Sequence, residues 1–272
     1  VAADSAGRLW VADLLNHRVL RFDNAAAKLN GANADGVLGQ TLFTTNTVAT
    51  TQSGLNQPHH VFADGGGRLW VADHNNRRVL RFDNAAAKVN GANADGVLGQ
   101  PDFTSNTAVT TQSGMAGPAG VSGDPEGRLY VSDESNNRVL IFNNAAALAN
   151  GANANNVLGQ SDFISATGGV SATSLSSPHR LFFDGATYSL FVPDVNNNRV
   201  KRYTTPPPVL VNNQAAVNVI GQPNFTTNSS GTTATTLALP TGVAVDPTTG
   251  KVYVGLDQGL FVVTPPTACA DN

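Results

Sequence analysis

The sequence predicts an all-β fold, a β-propeller whose blades are small four-stranded antiparallel sheets. Three observations lead to this prediction. The pattern Gly-Arg-Leu-aromatic-Val recurs every 60 residues, at Gly7, Gly67 and Gly127. Each unit contains short alternating runs joined by Gly, Asn and Asp, which is the pattern of strands and tight turns. The only helix-like run in a unit, at 84–88, is soon followed by Asn-Gly and Asp-Gly pairs, which argues against helical repeats.

The unit from 58 to 100 shows the predicted elements in order. Its four strands are predicted at 59–63, 68–73, 77–82 and 96–100. Strands this short cannot protect their own edges or bury both faces of their sheet. Radial stacking of one blade on the next solves both problems.

The repeat also predicts the domain organisation. No linker interrupts the period, so we expect a single domain over 1–272, with units at roughly 1–57, 58–117, 118–177, 178–239 and 240–272. Five second strands can be counted, but only four outer strands, which end at Gln40, Gln100, Gln160 and Gln222. We therefore predict five blades with the last incomplete. The alternative is part of a six-bladed ring that lacks its first blade.

A turn of the form Asp-x-x-Asn-x-Arg-Val follows the second strand in the first four units. Its residues are Asp13, Asn16, Arg18, Asp73, Asn76, Arg78, Asp133, Asn136, Arg138, Asp194, Asn197 and Arg199. This signature turn resembles that of NHL-repeat propellers, as does a Pro two residues before the apolar start of the unit, at Pro118 and Pro240. The resemblance covers nearly the whole chain and implies a ring of usually six blades. In the last unit the Asn and Arg are lost after Asp257.

Repetition in every unit favours a structural role for the signature turns over a metal or catalytic ring, because catalysis needs asymmetry. We expect Asp and Asn to accept hydrogen bonds from backbone N–H groups. We expect Arg to donate paired hydrogen bonds to a carboxylate or carbonyl group of the adjacent blade. Four Gly-Gln pairs, each followed by a Phe, favour the same interpretation. The Gln amides are expected to satisfy outer-strand backbone groups, with the Phe residues (Phe43, Phe103, Phe163 and Phe225) pinning the returning loops.

Composition excludes several classes of function. The net charge of −3 and pI near 5.9 argue against a nucleic-acid partner or an anionic membrane surface. No run reaches the roughly 20 apolar residues of a membrane span. Only Cys269 is present, so no internal disulfide can form. Uncharged polar loops are typical of an extracellular or cell-surface protein.

The candidate binding residues lie where the units differ. Aligned positions at the start of the inner strand carry His59, His60, His179 and Arg180 in two units, but small residues or Thr in others. These side chains are expected at the mouth of the central channel and are suited to an anion or a metal. His59 and His179 are the candidate ligands of one divalent ion. We favour the expectation that no cofactor binds. These two residues belong to blades separated by a whole blade, and no acid or base is evident beside them. His17 and His74 are expected to be exposed in turns.

The sequence contains no nucleophile elbow, phosphate loop or zinc-protease motif. The favoured function is a non-enzymatic extracellular binding or scaffolding domain that contacts protein or carbohydrate. Its working surface would be the loops 41–57, 101–117, 161–177 and 223–239. Because the resembled family includes a metal-dependent lyase with channel histidines, a metal-dependent lyase or lactonase-like hydrolase is one alternative. The other is a structural repeat segment of a larger surface protein that carries further repeats.

Overall fold

The computed structural model describes residues 1–204, 210–256 and 259–263. Within these residues the chain forms five separate antiparallel sheets that follow one another in chain order. The helices found there are single 3-10 turns, and none is long and apolar enough to cross a membrane. The predicted all-β propeller of five blades with an incomplete last blade is therefore confirmed.

Each blade is a meander in which neighbouring strands along the chain pair in the sheet. Blade 1 contains β1 (Ala2–Ala3), β2 (Leu9–Asp13), β3 (Arg18–Phe22) and β4 (Gly36–Leu38). Blade 2 contains β5 (Pro58–Ala63), β6 (Leu69–Asp73), β7 (Arg78–Phe82) and β8 (Gly96–Leu98). Blade 3 contains β9 (Pro118–Gly123), β10 (Leu129–Asp133), β11 (Arg138–Phe142) and β12 (Asn156–Leu158).

The last two blades keep this order, but blade 4 has a shorter inner strand and blade 5 has fewer strands. Blade 4 contains β13 (Phe182–Asp184), β14 (Ser189–Asp194), β15 (Arg199–Thr204) and β16 (Asn218–Ile220). Blade 5 has three strands in the described residues, namely β17 (Pro240–Val245), β18 (Val252–Leu256) and β19 (Gly259–Val263). The altered signature at Asp257 and the single Cys269 lie outside the described residues.

The inner strand of blade 4 begins later than predicted. His179 and Arg180 precede β13, and Arg180 forms a parallel bridge with Gly242 of blade 5. Its backbone N–H donates to the carbonyl oxygen of Thr241, at 3.3 Å. Arg180 thus pairs with the next blade, while Pro178 bridges Asp194 and the His179 N–H donates to the carbonyl oxygen of Pro193, at 3.0 Å, in its own blade.

Two sets of one-turn 3-10 helices occur in the blades. The first set joins the second strand to the third, and the second set follows the third strand. They are Leu14–Asn16, His74–Asn76, Glu134–Asn136 and Val195–Asn197 in the first set, and Ala25–Ala27, Ala85–Ala87 and Ala145–Ala147 in the second. A left-handed residue ends each turn of the first set, and in blades 3 and 4 it is Asn, which tolerates this conformation best after Gly. These turns reverse the chain at the channel-mouth end of each blade, because Asp73 pairs with Pro58 at the start of β5.

The core lies between the blades rather than inside any one of them. Trp70 is 2% exposed and packs with Val121 and Phe142 of blade 3, while its indole N–H donates to Asp64, at 3.1 Å. Trp10, Tyr130 and Phe191 are buried at the same position of their own blades. Each of the first four blades thus buries an aromatic layer against the next blade.

Two sheet faces are less well covered than their counterparts. Val71 and Leu80 of blade 2 are fully buried against blade 1, whereas the equivalent Val11 and Leu20 of blade 1 are only half-buried. On blade 5, Leu260 is 66% exposed. In the described residues, no strand of blade 5 packs on blade 1 as the other neighbouring blades pack on each other.

Candidate functional site

The signature turns form buried ion pairs. In blade 2, Arg78 and Asp73 are both fully buried, with Nε of Arg78 2.8 Å from Oδ2 of Asp73. The amide of Asn76 donates to the same carboxylate oxygen, at 2.8 Å. The equivalent pairs are Arg138–Asp133 at 2.9 Å, Arg199–Asp194 at 2.7 Å and, partly exposed, Arg18–Asp13 at 2.7 Å. Burial raises the pKa of Asp73 and Asp194, while the paired arginine opposes that shift.

The same arginines bind the long loops on either side of their blade. Arg78 donates from Nη2 to the carbonyl oxygens of Thr51 and Gly54, both at 2.9 Å, and from Nη1 to the carbonyl oxygen of Phe103. The loop before the blade and the loop after it are therefore fixed to one buried guanidinium group. These contacts give the repeated turn a structural role within the blade.

The repeated Gln residues also bind backbone. The amide of Gln40 donates to the carbonyl oxygens of His17, at 3.1 Å, and Thr47, at 2.8 Å, and its Oε1 accepts from the Thr47 N–H, at 3.1 Å. Gln100, Gln160 and Gln222 donate in the same way in their own blades. Their amides are used within the chain, which leaves the candidate ligand site elsewhere.

Four titratable side chains from three blades meet at the channel mouth, and we name them the mouth cluster: His59, His74, Glu134 and His179. His59 lies on β5, His74 and Glu134 lie in the turns after β6 and β10, and His179 precedes β13. The rings of His59 and His74 are stacked, with centroids 3.9 Å apart and planes 8° from parallel. The ring of His179 lies 5.9 Å from that of His59.

Glu134 is the acidic member of the mouth cluster. Its Oε1 accepts from the hydroxyl of Ser177, at 2.8 Å, and its Oε2 lies 3.6 Å from Nε2 of His74 and 3.9 Å from Nε2 of His179. Burial opposes ionisation, but the contacts with His74 and Ser177 outweigh it and lower the pKa of Glu134 to about 2. For His74, burial acts to lower the pKa. Its contacts with Glu134 and Asn75 outweigh burial and raise the pKa of His74 above its usual value.

His59, His74 and Glu134 supply donors in a set that suits a metal ion. One donor atom from each lies within 4.8 Å of the other two. Nδ1 of His59 is buried and has no hydrogen-bond partner among the described residues. Two stacked imidazoles cannot both direct lone pairs at one ion, so one ring has to turn out of the stack before a metal binds.

His60 and Arg180 also line the channel. The ring Nδ1 of His60 contacts the backbone of Val121, and burial lowers the pKa of His60 to about 3. Arg180 extends from blade 4 to blade 2, where its Nε donates to the carbonyl oxygen of His59, at 3.3 Å. Both residues line a cavity of about 620 Å³.

Several sequence-based expectations about this site were wrong. His59 and His179 approach each other although a whole blade separates them along the chain, because the inner strands converge on a narrow channel. His74 is not merely exposed, since it is half-buried and stacked on His59. His17 is also half-buried, and its Nδ1 accepts from the backbone N–H of Gln57, at 3.1 Å. Glu134, which was not singled out, provides the missing acid.

A pattern in the sequence could have identified the missed residues. His74 and Glu134 occupy the same place in the signature turn, immediately after its Asp, where blades 1 and 4 carry Leu14 and Val195. Divergence between repeats selects His59 and His179 at the inner strand. At the turn, it selects His74 and Glu134.

The comparisons agree with this architecture. The NHL repeat family profile matches residues 115–142, which include β9, β10, β11 and the signature turn of blade 3. The chain is therefore a β-propeller that carries an NHL repeat in blade 3. No curated protein matches its sequence significantly.

Solved structures resemble this NHL-repeat propeller at low sequence identity. A functionally unknown protein from Desulfotomaculum acetoxidans DSM 771 is 14% identical with a TM-score of 0.57, and the match covers 96% of this chain and 63% of that one. U3-55K is 8% identical with a TM-score of 0.55 and coverage of 94% and 57%. A streptogramin B lyase is 13% identical with a TM-score of 0.50 and coverage of 98% and 68%. Such likenesses show the fold alone, and the chain spans less than two thirds of the first two proteins.

Proposed function

We propose that this NHL-repeat propeller is a binding protein whose ligand docks at the channel mouth, on a divalent transition-metal ion held by His59, His74 and Glu134. The convergence of these three donors carries the proposal, because it occurs where the repeats differ from one another. Two imidazoles and one carboxylate are a donor set that zinc accepts, and three protein ligands leave a coordination position open for a ligand.

The surroundings of the donors support this proposal. Oδ1 of Asn75 lies 3.0 Å from Nδ1 of His74, which places a proton on Nδ1 and leaves the Nε2 lone pair, on the side of Glu134, for a metal. Ser177 holds the Glu134 carboxylate from its other oxygen. A metal would also partner the buried Nδ1 of His59 once that ring turns.

In this proposal the predicted partner, an extracellular protein or carbohydrate, binds to the same surface as the metal. The loop 161–177 ends at Ser177, which contacts Glu134. The loop 101–117 ends at Gly117, where a Cβ would lie 3.2 Å from Nε2 of His74. The polar loops therefore border the mouth cluster, and a ligand bound there would contact both.

Native mass spectrometry after zinc loading and removal of excess zinc tests the proposal. We expect one zinc ion in the wild type, released by EDTA, and none in His74→Ala or Glu134→Gln. His17→Asn is the matched control, since His17 also lies at a signature turn but is not part of the cluster, and it should keep the ion. Zinc-free wild type, or undiminished zinc in both cluster variants, would contradict the proposal.

A metal-dependent lyase or lactonase-like hydrolase is the second candidate function, and His179 is the observation that favours it. This imidazole lies 3.9 Å from Glu134 but outside the three-donor set, where it can transfer a proton beside a bound metal. Zinc-loaded protein should then turn over a lactone or elimination substrate, and His179→Asn should abolish turnover without releasing zinc. Equal turnover in wild type and His179→Asn would remove this candidate.

A further inference from the structure

Beneath the mouth cluster, a cavity of about 620 Å³ follows the central channel, within the range of small-molecule sites. All five blades contribute to its walls, which are mainly aliphatic and aromatic. Val61, Phe62, Phe182 and Val243 are among the lining residues. An apolar body of moderate size therefore has a hydrophobic environment there.

Arg180 is the only Lys, Arg, Asp or Glu side chain that lines this cavity in the described residues. No carboxylate of those residues lies within ion-pair distance of it, in contrast to the arginines of the signature turns. His59 and His60 line the same space, and the ring Nδ1 of His60 contacts the backbone of Val121. Val1 also lines the cavity.

The backbone holds Arg180 where its side chain crosses the channel. The bridge to Gly242 fixes one side of the residue. On the other side Gly120 approaches so closely that a Cβ there would lie 2.8 Å from Cα of Arg180. The aligned inner-strand positions thus alternate large and small residues around the channel, as His60, Gly120, Arg180 and Gly242. This alternation leaves space in the channel for one guanidinium group, whose Nε contacts the His59 carbonyl oxygen.

We propose that the channel binds an organic carboxylate, with the carboxylate on the Arg180 guanidinium and an apolar body against Val61, Phe62 and Val243. A half-buried cation with no carboxylate at ion-pair distance attracts an anion, and Arg favours the planar geometry of a carboxylate. The inference deepens the proposed function and rests on it for the ligand's path through the mouth. Arg180 is not one of the metal donors, so the two sites can be tested separately.

Isothermal titration with octanoate tests the inference, with octanamide as the neutral isostere and inorganic phosphate as the oxyanion without an apolar body. We expect octanoate to bind at least tenfold more tightly than either of the others. Arg180→Gln should weaken octanoate binding at least tenfold, and Arg180→Lys should weaken it less. Arg202→Gln, which removes an arginine outside the cavity, is the matched control and should bind as the wild type does. Equal binding of octanoate and octanamide, or full binding by Arg180→Gln, would overturn the inference.

Gly242→Leu provides a second variant that leaves Arg180 in place. A Cβ at Gly242 meets nothing within 4 Å, so the new side chain enters the cavity without a backbone clash. It should reduce octanoate binding at least tenfold while circular dichroism and Tm stay near the wild type. Unchanged octanoate binding in Gly242→Leu would place the ligand outside the channel and overturn the inference.

Repeating the titrations in EDTA separates this inference from the metal proposal. Octanoate binding that survives EDTA and depends on Arg180 would support the channel site even if no zinc binds. Stoichiometric zinc binding without octanoate binding would overturn the channel site and leave the metal proposal intact.

Discussion

Asp73 and Asp13 occupy the same place in neighbouring signature turns, but their surroundings differ. Asp73 and its partner Arg78 are fully buried, whereas the Asp13 side chain is 25% exposed beside a partly exposed Arg18. Removing one charge of a buried pair leaves the other uncompensated in a medium of low dielectric constant. In the partly exposed pair, water replaces much of the lost interaction.

Asp73→Asn should therefore lower the free energy of unfolding by about 3–5 kcal/mol. Asp13→Asn, the matched control with identical chemistry, should lower it by about 1 kcal/mol or less. Urea denaturation of both variants measures the difference. Similar losses in the two would show that burial does not determine the contribution of the ion pair.

Lys201 is a buried cation at a position where blades 2 and 3 carry Leu80 and Leu140. Its Nζ donates to the carbonyl oxygens of Ala172, at 3.1 Å, and Ser174, at 2.5 Å. Burial lowers the pKa of Lys201 from 10.5 to about 7, although Asp194 opposes this shift. Between these pH values the unfolded chain binds the proton that the folded chain has lost. The contribution of Lys201 to stability is therefore most unfavourable below about pH 7 and improves as pH rises toward 10.5.

Lys201→Leu should raise the free energy of unfolding at pH 7 by about 1–4 kcal/mol, because an apolar residue replaces a desolvated charge. The gain over the wild type should shrink as pH rises from 7 to 10. Chemical denaturation at several pH values measures this gain, and Lys88→Leu, at a partly exposed ion pair with Asp95, serves as the control. A gain that is independent of pH would contradict the assignment to the Lys201 charge.

At the scale of the element, one aromatic position in the second strand holds neighbouring blades together. Trp70 fills it between blades 2 and 3, and Tyr253 fills it on blade 5, where it is half-buried and lines the cavity. We expect the contribution of this residue to the free energy of unfolding to depend on whether another blade packs over it.

Trp70→Ala should destabilise the protein by about 3–5 kcal/mol, since the blade interface cannot collapse into the space left by the indole. Loss of the indole N–H also removes one hydrogen-bond donor to the Asp64 carboxylate. Tyr253→Ala is the matched control on the less covered face and should cost less than half as much. Thermal denaturation compares the two, and a loss below about 1 kcal/mol for Trp70→Ala would contradict burial at the blade interface.

The elements were predictable because their determinants are local. Period-two alternation and Gly, Asn and Asp turns placed β5 to β8 within a few residues of their observed bounds. The late start of β13 was not predictable, because Arg180 pairs with Gly242 and the sequence of its own blade does not show that contact. The same limit applies to the mouth cluster. The repeat specifies where His59 and Glu134 lie in their blades, but their separation across the channel depends on how the blades stack.

At the scale of the whole molecule, the blades are not equivalent, although blades 1 and 2 have nearly the same sequence. Blades 2, 3 and 4 pack against a neighbour on both faces, whereas blades 1 and 5 each have one less covered face in the described residues. The mouth cluster draws its members from blades 2, 3 and 4. The candidate site therefore rests on the most fully packed part of the propeller, which keeps its side chains in fixed relative positions.

Hydrogen exchange tests this distribution of stability with an internal control. Residues 9–13 and 69–73 have the same sequence, Leu-Trp-Val-Ala-Asp, and so do 18–22 and 78–82, Arg-Val-Leu-Arg-Phe. Intrinsic exchange rates are therefore closely matched, and any difference reports local opening. We expect the amides of β6 and β7 to exchange at least tenfold more slowly than those of β2 and β3, because Val71 and Leu80 are covered by blade 1 while Val11 and Leu20 are only half-buried. Equal protection of the two copies would mean that the exposed face of blade 1 is covered in solution.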